Sequence, residues 1–470
     1  MFVNGKFDAA LSSLGALDGA KVTTLSAAIR ETPDFVSSHL GKLASFDRQA
    51  FTAFNTAFAQ DGLVVRVPKG VKVAAPLHVI HVADAQAAGS MLHPRLLVVV
   101  EPLAEFAVVE SFVSLKGTEY LTNAVAEVFV GNGAATGNVV SLANGSVLSA
   151  PLVVIGSNAT ALGNSLIISN GALVNTANSD VILGADPGTT GALVLANSSL
   201  AVTNAGMARL IVGQNGRGTL ALNGGSLIVN QLLVTNNVLN APTNSTFTFT
   251  SGTLTTSNAV DAVATRLLTA SNIAVNINGT WNMLGGSNLF GSTFTGAGTL
   301  SIGGNSSYAT VNVQNAVLDL SGMLQLTVGN TSGNGITGNV LTVTDGGKVI
   351  SRYLRISPGG AESRSNKVVV AGPGSVISNF SATVSDIAPR GQFNELIISN
   401  GGAFYAAYTA VAGSGGSNNT LLVTDPNSFY YQTANNAAGF SLGGAGAVGN
   451  RLIVSNGAFV SIVGGSSLLS

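Results

Sequence analysis

The chain has 470 residues, of which 9% are charged, 46% hydrophobic, 6% aromatic and 58 are Gly. That apolar content excludes a disordered chain. A formal charge of −1 excludes a global field for nucleic acid or anionic lipid, and the lack of any Cys excludes disulfides and thiolate sites.

Taken from the amino end, MFVNGKFDAALSSLG has neither a basic start nor a continuous apolar stretch, so it reads as no export signal. In TPDFVSSHLG, Thr32 is placed to cap a helix, Pro33 suits its first position and Gly41 its exit. A second helix is expected from Asp47 as cap to Gly62. Phe46 and Phe51 stand at the two hydrophobic-staple positions, and Phe51, Phe54 and Phe58 form one apolar stripe that reads as core.

From Leu63 the hydrophobic period changes to two. VVRVPKGVKV (64–73) predicts two short strands around a Pro-Lys-Gly turn, and PLHVIHV (76–82) another. The unbroken run Leu96–Val100 suits a strand buried on both faces, hence parallel stacking. On a strand, His78 and His81 face opposite sides and cannot close on one metal, and His93 before Pro94 reads as a loop residue.

Near Gly131 the composition breaks. Before it stand 22 charged residues in 130; from it onward, 19 in 340, and all four His (His39, His78, His81, His93) precede it. From about residue 138 a motif recurs: Asn, any, Leu, any, Val/Ile, Ser/Thr, Asn/Asp, Gly. It reads NSLIISNG (164–171), NVLTVTDG (339–346), NELIISNG (394–401) and NRLIVSNG (450–457), with NTLLVTDP (419–426) as a variant. A period near 26 residues means a solenoid of stacked coils. Each unit is expected to hold two short strands, with Leu341 and Val343 on one face and Thr342 and Thr344 on the other. The Asn-Gly and Asp-Gly steps supply corners at positive φ, and Asn at equivalent corners stacks as a hydrogen-bonded ladder.

No catalytic constellation emerges. Asp180, Asp186, Asp261, Asp319, Asp345, Asp386, Asp425, Glu362 and Glu395 are scattered, whereas glycan cleavage or calcium binding gathers carboxylates. Asp345 and Asp425 stand where sister repeats carry the turn Asn. Lys348, Arg352, Arg355, Arg364 and Lys367 form one basic cluster that reads as a solvated lateral face, with no aromatic interleaving for nucleic acid. GQNGRG (213–218) opens no helix and fails as a phosphate cradle. Trp281, Tyr430 and Tyr431 read as rings packed under loops rather than sugar platforms. No catalytic, cofactor or metal residue is assigned.

FVNGKF (2–7), HLGKLA (39–44), FTAFNTAFAQDGLVVRVPKGVKVAAPLHV (51–79), HPRLLVVVE (93–101) and YLTNAVAEVFVG (120–131) resemble the SufB/SufD scaffold proteins of iron–sulfur cluster assembly, SufD more than SufB. That resemblance implies a cytoplasmic, non-enzymatic β-helix protein acting with a SufB-like scaffold and a SufC-like ATPase. Residues 138–470 resemble the autotransporter-associated β-strand repeats, which implies the alternative of an exported surface β-helix serving adhesion or display. The expected fold is mostly β: a long single-stranded right-handed parallel β-helix with a small α-helical segment at its amino end, handedness coming from the resemblance. Its expected parts are an α-rich segment over 1–62, a SufD-like β-helix start over 63–130 and repeat coils over 131–470. The chain is expected to be truncated or fused, to cross no membrane and to self-associate through an open C-terminal coil.

Overall fold

A computed structural model describes residues 1–14, 17–42, 44, 50–115, 117, 119–130, 137–143, 147–149, 152–157, 161–171, 173–175, 180–204, 207–235, 245–257, 265–267, 274–290, 298–322, 325–329, 335–360, 362–380, 384–432, 440–463 and 468–469. The expected cap Asp47, the staple residue Phe46, the break at Gly131 and Asp261 lie outside them. The chain divides into two compact units, the first chiefly Met1–Asn204 and Ala208–Leu227, the second chiefly Thr246–Ser470. Both are parallel β-solenoid. Among the described residues, helix is confined to α1 (Leu25–Glu31), α2 (Pro33–His39), α3 (Ala50–Phe58) and a single 3₁₀ turn at Ala85–Ala87. None is long and apolar enough to cross a membrane.

In the first unit, the strand Arg95–Val100 lies between Gly62–Val67 and Val125–Val130, parallel to both, and Lys21–Thr24 adds an antiparallel edge. All six residues of Arg95–Val100 are buried. Alternation explains how. Leu96, Val98 and Val100 join Leu63, Val65 and Val67 on one side; Leu97 and Val99 pack on the other against Leu25 and Ala28 of α1 and Val36 of α2. The expected two-sided burial therefore has helices as its second cover.

Capping differs from expectation. Thr32 precedes α2, with Pro33 at its start, yet makes no side-chain cap; its hydroxyl donates to Ala28 O at the end of α1 (3.1 Å). One residue serves two abutting helices, and the earlier one takes the hydroxyl. The side-chain cap falls instead to Thr24, whose Oγ1 accepts from Ala27 N (3.2 Å). After the Pro68–Gly70 turn the expected second strand is reduced to one bridge, Lys72 to Glu105.

A second parallel ladder of this unit runs through Leu77–Ala83, Ala107–Ser114, Val139–Leu142, Asn164–Ser169 and Thr190–Ala196. Its partners step by 31 and 32 residues (Leu77 to Val108, Ala107 to Val139), then by 26 and 27 (Val139 to Ser165, Asn164 to Gly191). Strands from the two compositional regimes thus pair directly inside this unit.

In the second unit the repeat that opens at Val340 has three strands, not two. Val340–Thr344, Lys348–Ser351 and Leu354–Ile356 pair in parallel with their counterparts one coil on, Lys367–Ala371, Val376–Asn379 and Ser385–Ile387. The short third strand follows the tight bend at Arg352 and buries Leu354 and Ile356. Leu341 and Val343 are fully buried, while Thr342 and Thr344 are half-buried on the outer face. The corners have the expected left-handed backbone: Asn170, Asn400 and Asn456 at φ 54, 51 and 50°, Asp345 at 51°, each followed by a Gly near 80°.

Inside the successive coils from Asn339 to Asn450 the motif Asn forms a ladder. Asn339, Asn366, Asn394 and Asn419 are fully buried. Each side-chain Oδ1 from Asn366 onward accepts both the backbone N–H and an Nδ2–H of the motif Asn one coil earlier: Asn339 to Asn366 (3.0 and 2.9 Å), Asn366 to Asn394 (2.9 and 3.3 Å), Asn394 to Asn419 (2.9 and 3.0 Å), Asn419 to Asn450 (2.9 and 3.0 Å). Asn138 and Asn164 make the same rung in the first unit (3.1 and 2.8 Å).

Candidate functional site

Chemistry-bearing side chains of the first unit gather where α3 meets the solenoid. Arg95 and Glu127, on adjacent strands and diagonal by two positions (register Arg95 to Val125, Leu97 to Glu127), form an ion pair of 2.5 Å with side chains 3% and 0% exposed. Glu127 also accepts the backbone N–H of Gly41 (2.7 Å) and Ala44 (3.2 Å). Arg95 Nη1 donates to Asn55 Oδ1 (3.1 Å), and Asn55 Nδ2 donates to Pro94 O and Asn123 O (2.8 and 2.7 Å). Burying such a pair demands partners for its polar atoms; both Nη atoms of Arg95 have one, and its Nε has none among the described residues. The chain just after α2 and the middle of α3 are thereby fastened to the sheet.

This fastening inverts α3. The face turned inward carries Thr52 and Asn55, while Phe51, Phe54 and Phe58 are 61, 50 and 59% exposed. The expectation that the stripe is core is therefore corrected: the buried ion pair recruits the polar face. Phe54, Phe58, Gln60, Met91 and His93 line an open groove of about 340 Å³. Desolvation there holds the His93 imidazole below the usual histidine range.

His78 and His81 lie on opposite sides of Leu77–Ala83, as alternation requires. His78 is exposed and bonds Ser111 Oγ (2.8 Å); His81 is buried between the rings of Phe2 and Phe112 (5.1 and 4.7 Å), with Nε2 3.0 Å from Glu110 Oε1. His39, near the end of α2, bonds Phe35 O (2.8 Å). No three metal-ligating residues come together among the described residues.

In the second unit the basic cluster is spread over two successive coils, Lys348, Arg352 and Arg355 on one and Arg364 and Lys367 on the next. Lys348 is on one sheet and Arg355 on another; Arg355 pairs with Asp386 (3.0 Å), Lys367 with Glu395 (2.7 Å), and Arg352 sits over Phe380. In the first unit Asp180 pairs with Arg209 (2.6 Å). Trp281 and Tyr430 are fully buried in the solenoid core, not under loops; Tyr431 is on an outer face with Tyr405 and Phe429. GQNGRG leads into the strand Arg217–Val229, and no helix follows it.

Asp386 was only one of the scattered acids, yet it has an unusual setting. Burial pushes its carboxyl above the ordinary carboxylate range, with Arg355 opposing. Tyr353 and Tyr408, each pushed up chiefly by burial, also feel its charge. These residues are 33 and 22 positions from Asp386, so only coil stacking reveals the group. A raised carboxyl pKa means the folded state binds the proton more tightly. Its contribution is fully present below the unfolded value and is lost as pH rises to the folded one. The stability of the native chain minus that of Asp386→Asn should therefore fall as pH rises through that window. Urea midpoints measured across it check this; a constant difference contradicts the raised carboxyl.

The fold and site define a parallel β-solenoid whose first unit carries a small helical segment fixed by a buried Arg–Glu pair. Residues 1–79 match the family model described as the SufBD protein N-terminal region. The chain is 31% identical over 146 residues to an iron–sulfur cluster assembly SufBD family protein of Synechocystis, covering 28% of this chain and 31% of that protein. It is 31% identical over 120 residues to a chloroplast iron–sulfur cluster assembly SufBD family protein of Arabidopsis thaliana, covering 25% of this chain and 21% of that one. The matches thus span about a third or less of these relatives.

Proposed function

We propose that the chain serves as a SufD-like, non-enzymatic scaffold component in iron–sulfur cluster assembly. The observation that carries this reading is the match of residues 1–79 to the SufBD N-terminal region, supported by two relatives whose names state iron–sulfur cluster assembly. The cluster is cargo here. These 470 residues contain no Cys, so in this reading thiolate ligands come from a SufB-like partner, and a SufC-like ATPase supplies the energy in the cytoplasm.

The test is co-expression of the tagged full chain with SufB-like and SufC-like proteins. Stoichiometric co-purification of both is expected; recovery of the chain alone overturns the proposal. A second reading, an exported surface β-helix for adhesion or display, is favoured by the repeat motif and its buried Asn ladder in residues 138–470. Recovery of a longer precursor with an export signal, together with failed co-purification, would select it.

A further inference from the structure

We infer that an outer face of the second unit, centred on Asp386, binds a neutral linear oligosaccharide laid along the stack of coils. Tyr353, Val384 and Tyr408 hold the equivalent place in three successive coils, each directly before a short strand: Leu354–Ile356, Ser385–Ile387 and Thr409–Val411. Ser385 N–H donates to Tyr408 O (2.9 Å), so the ladder continues to this row. In the neighbouring row, in register, stand Arg355, Asp386 and Ala410. Two half-buried rings are thus set two coils apart, about 10 Å, with an Arg–Asp pair beside the gap between them. Both phenols lie near enough to feel the Asp386 charge. Arg355 Nε donates to Asp386 Oδ2 (3.0 Å), with side chains 30 and 14% exposed. That bond engages one of the five guanidinium N–H groups and one carboxylate oxygen, which leaves donors and an acceptor side by side for a guest.

The chemistry selects the ligand. A donor beside an acceptor meets adjacent sugar hydroxyls, each of which donates and accepts, whereas a phosphate chain would run onto the Asp386 carboxylate. A tyrosine ring offers an apolar body to the C–H face of a pyranose and keeps its hydroxyl at the wet edge. Rings two coils apart match alternate units of an extended β-1,4-linked chain, one unit over each coil. A peptide strand is disfavoured by the backbone: it adds to a free sheet edge, and Ser385–Ile387 is paired on both sides. The inference rests on the second unit alone and stands apart from the reading of residues 1–79.

Calorimetric titration of the full chain with cellohexaose, xylohexaose and mannohexaose tests it. At least one should bind with a dissociation constant in the micromolar to millimolar range. A trisaccharide is the shortest chain that reaches both rings, so it should bind on the order of tenfold more tightly than the disaccharide of the same sugar. Tyr353→Leu and Tyr408→Leu keep an apolar side chain but remove the ring, and each should weaken hexasaccharide binding about tenfold. Tyr405→Leu, on a strand of another sheet, should leave it unchanged. Binding to none of the three sugars, equal affinity for disaccharide and trisaccharide, or binding indifferent to both Tyr353→Leu and Tyr408→Leu overturns the inference. So does a chain that takes single-stranded DNA through these tyrosines and no sugar, which would assign the face to nucleic acid.

Discussion

Replacing Glu127 by Ala is expected to cost the first unit about 3–5 kcal/mol, because it strands a buried guanidinium. Arg95 keeps only Asn55 Oδ1 and, at 3.5 Å, Thr56 Oγ1 as side-chain partners, while the N–H groups of Gly41 and Ala44 lose their acceptor. Arg95→Met should cost a similar amount by leaving the carboxylate alone. The double variant Arg95→Met/Glu127→Leu should be more stable than either single one, since apolar groups of similar volume remove both charges at once. It should not regain native stability, because Asn55 Oδ1 and the two N–H groups remain unpaired. Hydrogen exchange at the strand Arg95–Val100 reads the first unit specifically. Single variants with native protection there would contradict the role given to the pair.

The same network shows why part of the molecule was hidden from sequence reading. The solenoid was legible because alternation and corner chemistry are local. Leu341 and Val343 announce their face by period two, and the motif's Asn-Gly steps at Asn170, Asn400 and Asn456 announce left-handed corners. The orientation of α3 is not local. Its most apolar stripe points outward because Asn55 is held by Arg95, Pro94 and Asn123, 39 to 68 residues away. Specific hydrogen bonding overrode amphipathicity, and no pattern within the helix signals that. The third strand of the coil that opens at Val340 was missed for another reason: Leu354–Ile356 is three residues long, too short for a period to show. The Asp386 group was missed because Tyr353 and Tyr408 come to it only through coil stacking.

Asn394→Leu is expected to destabilise the second unit by about 3–5 kcal/mol, although the two side chains are similar in size and the site is fully buried. Asn394 Oδ1 accepts from Asn366 N–H (2.9 Å) and Ser357 Oγ (2.6 Å); its Nδ2 donates to Asn419 Oδ1 (3.0 Å) and Gln392 O (2.9 Å). Leucine leaves the Asn366 amide without an acceptor in a dry interior, and the Ser357 hydroxyl loses one as well. Asn394→Asp separates geometry from charge: the carboxylate retains acceptors for Asn366 and Ser357 but faces the oxygens of Asn419 and Gln392 with no donor. It should therefore unfold more easily at neutral pH than in mild acid, where a protonated carboxyl can donate. Surface Thr342→Val, on the half-buried outer face, should change stability by only about 0.5 kcal/mol. Chemical denaturation followed by hydrogen exchange at Val340–Thr344 and Glu395–Ser399 measures all three. If Asn394→Leu left that protection native, the ladder would be a by-product of strand pairing. If protection collapses, the motif Asn is the residue that locks one coil to the next from Asn339 to Asn450, and its recurrence there at intervals of 25 to 31 residues follows from the need to place an amide at each of those turns.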